Sequence, residues 1–64
     1  MPGILSEYYG QDEYEGRTSQ VVWDGRKYLV RLFKDGKQIE ERNLQGHNER
    51  YAEDCAENYV MGIF

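Results

Sequence analysis

Residues 18–44 read TSQVVWDGRKYLVRLFKDGKQIEERNL, and the dipeptides Asp24-Gly25 and Asp35-Gly36 within that stretch decide the fold. Glycine, and to a lesser degree aspartate, tolerates the positive φ angles that two-residue hairpin turns require. The dipeptides lie eleven residues apart, which leaves room for one strand between two turns. The expectation is a three-stranded antiparallel β-meander over residues 18–23, 26–34 and 37–44. In the central strand Tyr28, Val30 and Leu32 alternate with Leu29, Arg31 and Phe33, so both sheet faces are partly apolar. The third strand has Ile39 alone among Gln38, Glu40, Glu41 and Arg42, which suits a guarded edge.

Downstream, Tyr51, Ala52, Cys55, Ala56, Tyr59, Val60 and Ile63 recur at helical spacing, while Glu49, Arg50, Glu53, Asp54, Glu57 and Asn58 fill the complementary face. One apolar stripe and one solvated face predict a helix. Asn48 suits its N-cap, Glu49 favours the positive end of its dipole, and Gly62 is a natural stop. Upstream, residues 1–16 read as a short acidic N-terminal arm. Ile4, Leu5, Tyr8 and Tyr9 recur as one turn of helix would place them, with Pro2 and Ser6 as start signals and Gly10 as its end. The predicted fold class is therefore α+β: an arm over 1–16, then a single β-β-β-α domain over 17–64. Its core is expected from Trp23, Val30, Leu32, Tyr51, Cys55 and Tyr59.

A chain of 64 residues buries little surface, only about 60% of what it exposes unfolded. A core of that size supplies roughly 3–5 kcal/mol unless a disulfide, a metal or a partner adds to it. The single cysteine, Cys55, and the single histidine, His47, allow neither an internal disulfide nor a four-ligand zinc site. Self-association is the remaining familiar way to enlarge the core, so a homodimer is expected. Six tyrosines, two phenylalanines and Trp23 raise the aromatic fraction to 14%, and their large buried area favours a folded domain over a disordered one. The longest apolar run is three residues, so neither a membrane span nor a signal peptide is expected. Together with one thiol, this points to a reducing cytoplasmic compartment.

The net charge of −4 is unevenly spread. Residues 1–16 hold Glu7, Asp12, Glu13 and Glu15 and no base. Residues 17–46 hold Arg17, Arg26, Lys27, Arg31, Lys34, Lys37 and Arg42 against four acids, and the final segment is acidic again. Acids mixed with tyrosines in the arm suit a contact surface, because tyrosine offers large area at low entropic cost and acids steer a basic partner. The partner-binding candidates are Asp12, Glu13, Tyr14 and Glu15. As a metal loop, residues 11–16 lack the ligand alternation, the glycine and the closing glutamate that calcium needs. Tyr8 and Tyr9 are expected to cover the sheet's second face.

A meander followed by one helix resembles the arm-binding N-terminal domains of tyrosine recombinases and the plant AP2-like domain. The likeness covers residues 19–61 and rests on Trp23 ahead of a turn, the run from Tyr28 to Lys37, and a helix with Ala52 and Ala56 inward. It implies DNA binding by the sheet face opposite the helix, using Arg26, Arg31, Phe33 and Lys37. Those families are basic overall, whereas this chain has a pI near 4.8. The chain also resembles the short orphan proteins that phages encode.

Catalysis has little behind it. A nucleophile needs a base within hydrogen-bond reach, and the helical stripe assigns Cys55 to packing and His47 to a turn. Met61, Ile63 and Phe64 make an apolar tail that either closes its own core or crosses to a second subunit. The functional expectation is a small non-enzymatic accessory or inhibitor protein that acts by protein–protein contact. It carries no cofactor and no metal, and nucleic-acid binding by the sheet is the alternative.

Overall fold

The computed structural model describes residues 3–63. Pro2, the expected helix-start signal, and Phe64, the end of the apolar tail, lie outside the described residues. An antiparallel sheet and one C-terminal helix make the chain α+β, but the sheet has four strands, not three. They run β1 (Gly3–Tyr9), β2 (Arg17–Trp23), β3 (Tyr28–Lys34) and β4 (Lys37–Asn43), in the spatial order of the chain, before α1 (Glu49–Val60).

The added strand corrects the expected helical turn in the arm. Ile4 pairs with Val22 and Ser6 with Val21, so Leu5 is an extra residue in a β-bulge. A bulge doubles one position and breaks period-two alternation. Ile4-Leu5 spans that bulge, and Tyr8-Tyr9 follows it in regular register with one ring on each face, so two apolar pairs imitate helical spacing while lying in a strand.

The β3–β4 corner is the expected two-residue turn, with Lys34 paired to Lys37 and φ of 53° at Asp35 and 83° at Gly36. Positive φ at both central residues matches the strand twist, and glycine adopts it without steric penalty. The β2–β3 corner is longer than expected and spans residues 24–27. Asp24 Oδ1 accepts from the backbone N–H groups of Arg26 and Lys27, both at 2.9 Å, and Asp24 Oδ2 accepts from Lys27 Nζ at 2.8 Å. The Asp24 side chain thus takes over bonds that a tighter turn would have given to the backbone.

Helix α1 lies across one sheet face, chiefly over β2 and β3. Small residues set how closely it approaches: Ala52 and Ala56 are fully buried, and Ser19 Oγ donates to the Ala56 carbonyl at 2.9 Å. Val21, Val30, Leu32, Leu44, Tyr59 and Val60 complete the core. Each buried Val or Leu contributes about 1.5–3 kcal/mol. Of the expected core, Val30, Leu32 and Tyr59 are buried, and Cys55 packs partly against them. Tyr51 is a correction: it is 48% exposed and stacks on the His47 ring at 3.9 Å. It sits in the first turn of α1, at the edge of the stripe.

Asn48 caps α1, its Oδ1 accepting from Tyr51 N at 2.9 Å. At the other end Gly62 N–H donates to the Tyr59 carbonyl and Ile63 N–H to the Asn58 carbonyl, a Schellman closure.

The face opposite α1 carries three cross-strand rows: Ile4, Val22, Leu29 and Asn43; Glu7, Gln20, Arg31 and Glu41; Tyr9, Thr18, Phe33 and Gln38. No described element lies across it. Tyr8 and Tyr9 therefore do not jointly cover a second face. As consecutive strand residues they point to opposite sides, Tyr8 toward α1 and Tyr9 away from it.

Candidate functional site: a tyrosine-lined pocket at the end of the helix

Residues 10–16, between β1 and β2, fold back on the C-terminal end of α1. Gly10 N–H donates to the Arg17 carbonyl at 2.8 Å, and Asp12–Tyr14 form a single 3-10 turn. Asp12, Glu13 and Glu15 are exposed on this loop, whereas Tyr14 is half-buried. The Tyr14 ring lies directly over Gly62, where a Cβ would come within 2.2 Å of it. Of the four partner-binding candidates, then, three are surface carboxylates and the fourth anchors the loop.

Arg17 fixes the same corner. Its guanidinium stands 5.0 Å from the ring centroids of both Tyr14 and Tyr59 and donates to the Tyr59 carbonyl at 3.0 Å. That carbonyl belongs to the last turn of α1, where the helix dipole is negative and a cation is favoured. The Tyr59 hydroxyl donates to the Phe33 carbonyl at 2.9 Å, tying helix to sheet.

Beside this corner opens a cavity of about 490 Å³, lined by Tyr8, Tyr9, Gln11, Tyr14, Glu57, Val60 and Met61. Burial raises the Tyr8 hydroxyl pKa; Glu53, Glu57 and Asp54 on α1 raise it further, against a hydrogen bond with Ser6 that lowers it. The Tyr9 hydroxyl donates to Glu7 Oε2 at 2.8 Å, and that bond raises its pKa. Its tyrosine lining, the Glu57 carboxylate and the negative end of a helix equip the cavity for binding. A smaller hollow of about 280 Å³ lies among Arg42, Tyr51, Asp54, Cys55 and Asn58.

The sheet bases expected to grip DNA are not brought together. Arg31 and Phe33 share the open face, but Arg31 faces Glu41 across the strands, its Nε 3.5 Å from Oε1. Lys37 pairs with Lys34 and so lies on the helix side, while Arg26 belongs to the corner at the other end of β3. Lys27 and Arg42 are bound to Asp24 and Glu40, and Arg17 to the helix end. The basic middle of the chain is thus largely spent on local partners.

Among the described residues no three His, Cys, Asp or Glu side chains are grouped to hold a metal ion. No described helix is long and apolar enough to cross a membrane. Sequence reasoning passed over Glu57, Val60 and Met61, because nothing in the linear pattern joins the loop to a helix end more than forty residues away. The Gly62 stop was the only signal, since it fixes where the helix presents its carbonyls. Comparison with protein-family models, with curated proteins and with solved structures finds no match.

Proposed function

We propose that the protein is a small non-enzymatic accessory or inhibitor module that acts by protein–protein contact, with the β1–β2 loop as its contact surface. The observation that carries this reading is the placement of the exposed Asp12, Glu13 and Glu15 on the loop whose Gln11 and Tyr14 line the tyrosine pocket. Acids steer a basic partner, and tyrosines supply contact area at low entropic cost. Reversing all three charges to lysine abolishes capture of the partner from the native host, read by affinity pull-down with mass spectrometry, and leaves the melting temperature unchanged. Capture that survives the reversal refutes the loop as the contact.

Homodimerisation belongs to the same proposal. Its support is the open sheet face, where Ile4, which is 51% exposed, shares a row with the half-buried Leu29, and Phe33, also half-buried, stands in another. Sedimentation equilibrium gives a dimer mass for the native chain and a monomer mass for Ile4→Lys; a native monomer refutes the pairing. Nucleic-acid binding has only Arg31 and Phe33 side by side in its favour. A gel shift at low salt that is lost on Arg31→Ala would restore it.

A further inference from the structure

We propose that the pocket between β1 and the end of α1 receives an arginine side chain from a basic segment of the protein partner. The inference rests on the protein–protein reading above and names the chemistry of the partner at that site. Three features favour a cation of this shape.

Three tyrosines line it: Tyr8 and Tyr9 from β1, and Tyr14 from the loop. Aromatic faces attract a cation through the ring quadrupole, and the attraction grows as the cation is desolvated. The acids nearby outnumber the one base described there, Arg17 over Tyr14. Glu57 lines the cavity, Glu53 acts on Tyr8, and Asp12, Glu13 and Glu15 sit on the loop whose Gln11 and Tyr14 line it. The α1 carbonyls end at the same place and bring the negative pole of the dipole.

The chain also displays the occupant chemistry on itself. One tyrosine away, the Arg17 guanidinium is held by two tyrosine rings and a carbonyl of the helix end. The neighbouring cavity offers tyrosines again, and the Glu57 carboxylate in place of the carbonyl. A guanidinium is planar, weakly hydrated and able to stack while it hydrogen-bonds, which suits such a slot better than a compact ammonium does.

Tyr9 and Glu57 are both exposed, so Tyr9→Ala and Glu57→Gln probe the pocket without disturbing the core. The probe is the capped peptide Ac-(Gly-Arg)₃-NH₂, titrated into ¹⁵N-labelled full-length protein, with Ac-(Gly-citrulline)₃-NH₂ as its neutral isostere and Ac-(Gly-Lys)₃-NH₂ as the ammonium control. The arginine peptide shifts the amides of Tyr8, Tyr9, Tyr14, Val60 and Met61. Glu57→Gln and Tyr9→Ala each weaken it by roughly three- to thirtyfold, the range of one cation–π or charged contact. Citrulline binds more weakly by at least as much.

Equal binding of the arginine and citrulline peptides overturns the proposal, as does a lysine peptide that binds better than arginine. Shifts confined to Asp12, Glu13 and Glu15, or binding indifferent to Glu57→Gln, also overturn the pocket but leave the acidic loop as the contact. If the loop charge reversal spares partner capture while the arginine peptide still fills the pocket, the contact surface proposed above fails and the pocket stands.

Discussion

At Gly62 two demands meet in one residue. Its φ is +79°, and the Tyr14 ring occupies the volume that a Cβ would need. Gly62→Ala must strain the backbone, at about 1–2 kcal/mol for an L residue in the left-handed region, and must also push Tyr14 off the helix end. We expect a loss of stability above that range in urea denaturation, with the pocket residues shifting in the NMR spectrum; a smaller loss would mean that Tyr14 is not seated there. Asp24 makes a second prediction at this scale. The hydrogen bond from the Lys27 side chain, then those from the Lys27 and Arg26 amides, hold its pKa below the usual carboxylate range. Because the folded value lies below the unfolded one, the unfolded chain takes up the proton first as pH falls. The corner's contribution is thus present above about pH 4, the ordinary aspartate value, and fades as pH drops below it. Melting temperatures taken from pH 6 down to pH 2 should fall more steeply for the native chain than for Asp24→Asn, and parallel curves would remove Asp24 from the acid response.

Between helix and sheet, the distance of approach is set by residues without bulk. Ala52, Ala56 and Ser19 are fully buried, and the Ser19 hydroxyl satisfies the Ala56 carbonyl. Ala56→Leu adds three carbons where none fit, and overpacking of this kind costs about 1–3 kcal/mol. Calorimetry should show a lower melting temperature, accompanied by weaker protection of the β2 amides, because α1 is lifted from the strand it covers. An unchanged melting temperature would place Ala56 away from the sheet. The solvated helix face and the capping Asn48 were legible in the sequence, since each depends on local chemistry alone. Tyr51 was not, because periodicity puts it on the stripe whereas its ring stacks on His47 and stays half exposed.

For the molecule as a whole, the most consequential departure is that the acidic arm is the first strand of the sheet. A dispensable arm would leave the melting temperature untouched when removed. As β1, residues 3–9 cover the β2 edge and bring Tyr8 against the core under α1. Deleting residues 1–9 should therefore abolish cooperative unfolding in calorimetry, and a sharp transition in the truncated chain would sink this account. The charge pattern changes meaning in the same way. In sequence the basic middle looks available to phosphate; in space Arg17, Lys27, Arg31 and Arg42 meet a helix end, Asp24, Glu41 and Glu40. Glu57, by contrast, lines the cavity beside the loop that carries Asp12, Glu13 and Glu15.

The sequence by itself determined the elements whose signals are local: the Asp35-Gly36 turn, the strands 18–23 and 26–34 to within a residue or two, the polar edge at β4, and a helix that begins at Asn48 and stops at Gly62. Turn chemistry, alternation and capping act over a few residues, so a linear reading captures them. Only the tertiary structure decided that residues 3–9 are a strand, because a bulge hides their alternation and their hydrogen bonds go to a partner across a long loop. The same holds for the pocket. Its walls come from β1, the loop and the last turn of α1, and side chains so far apart along the chain share a surface only once the sheet has registered and the helix has docked.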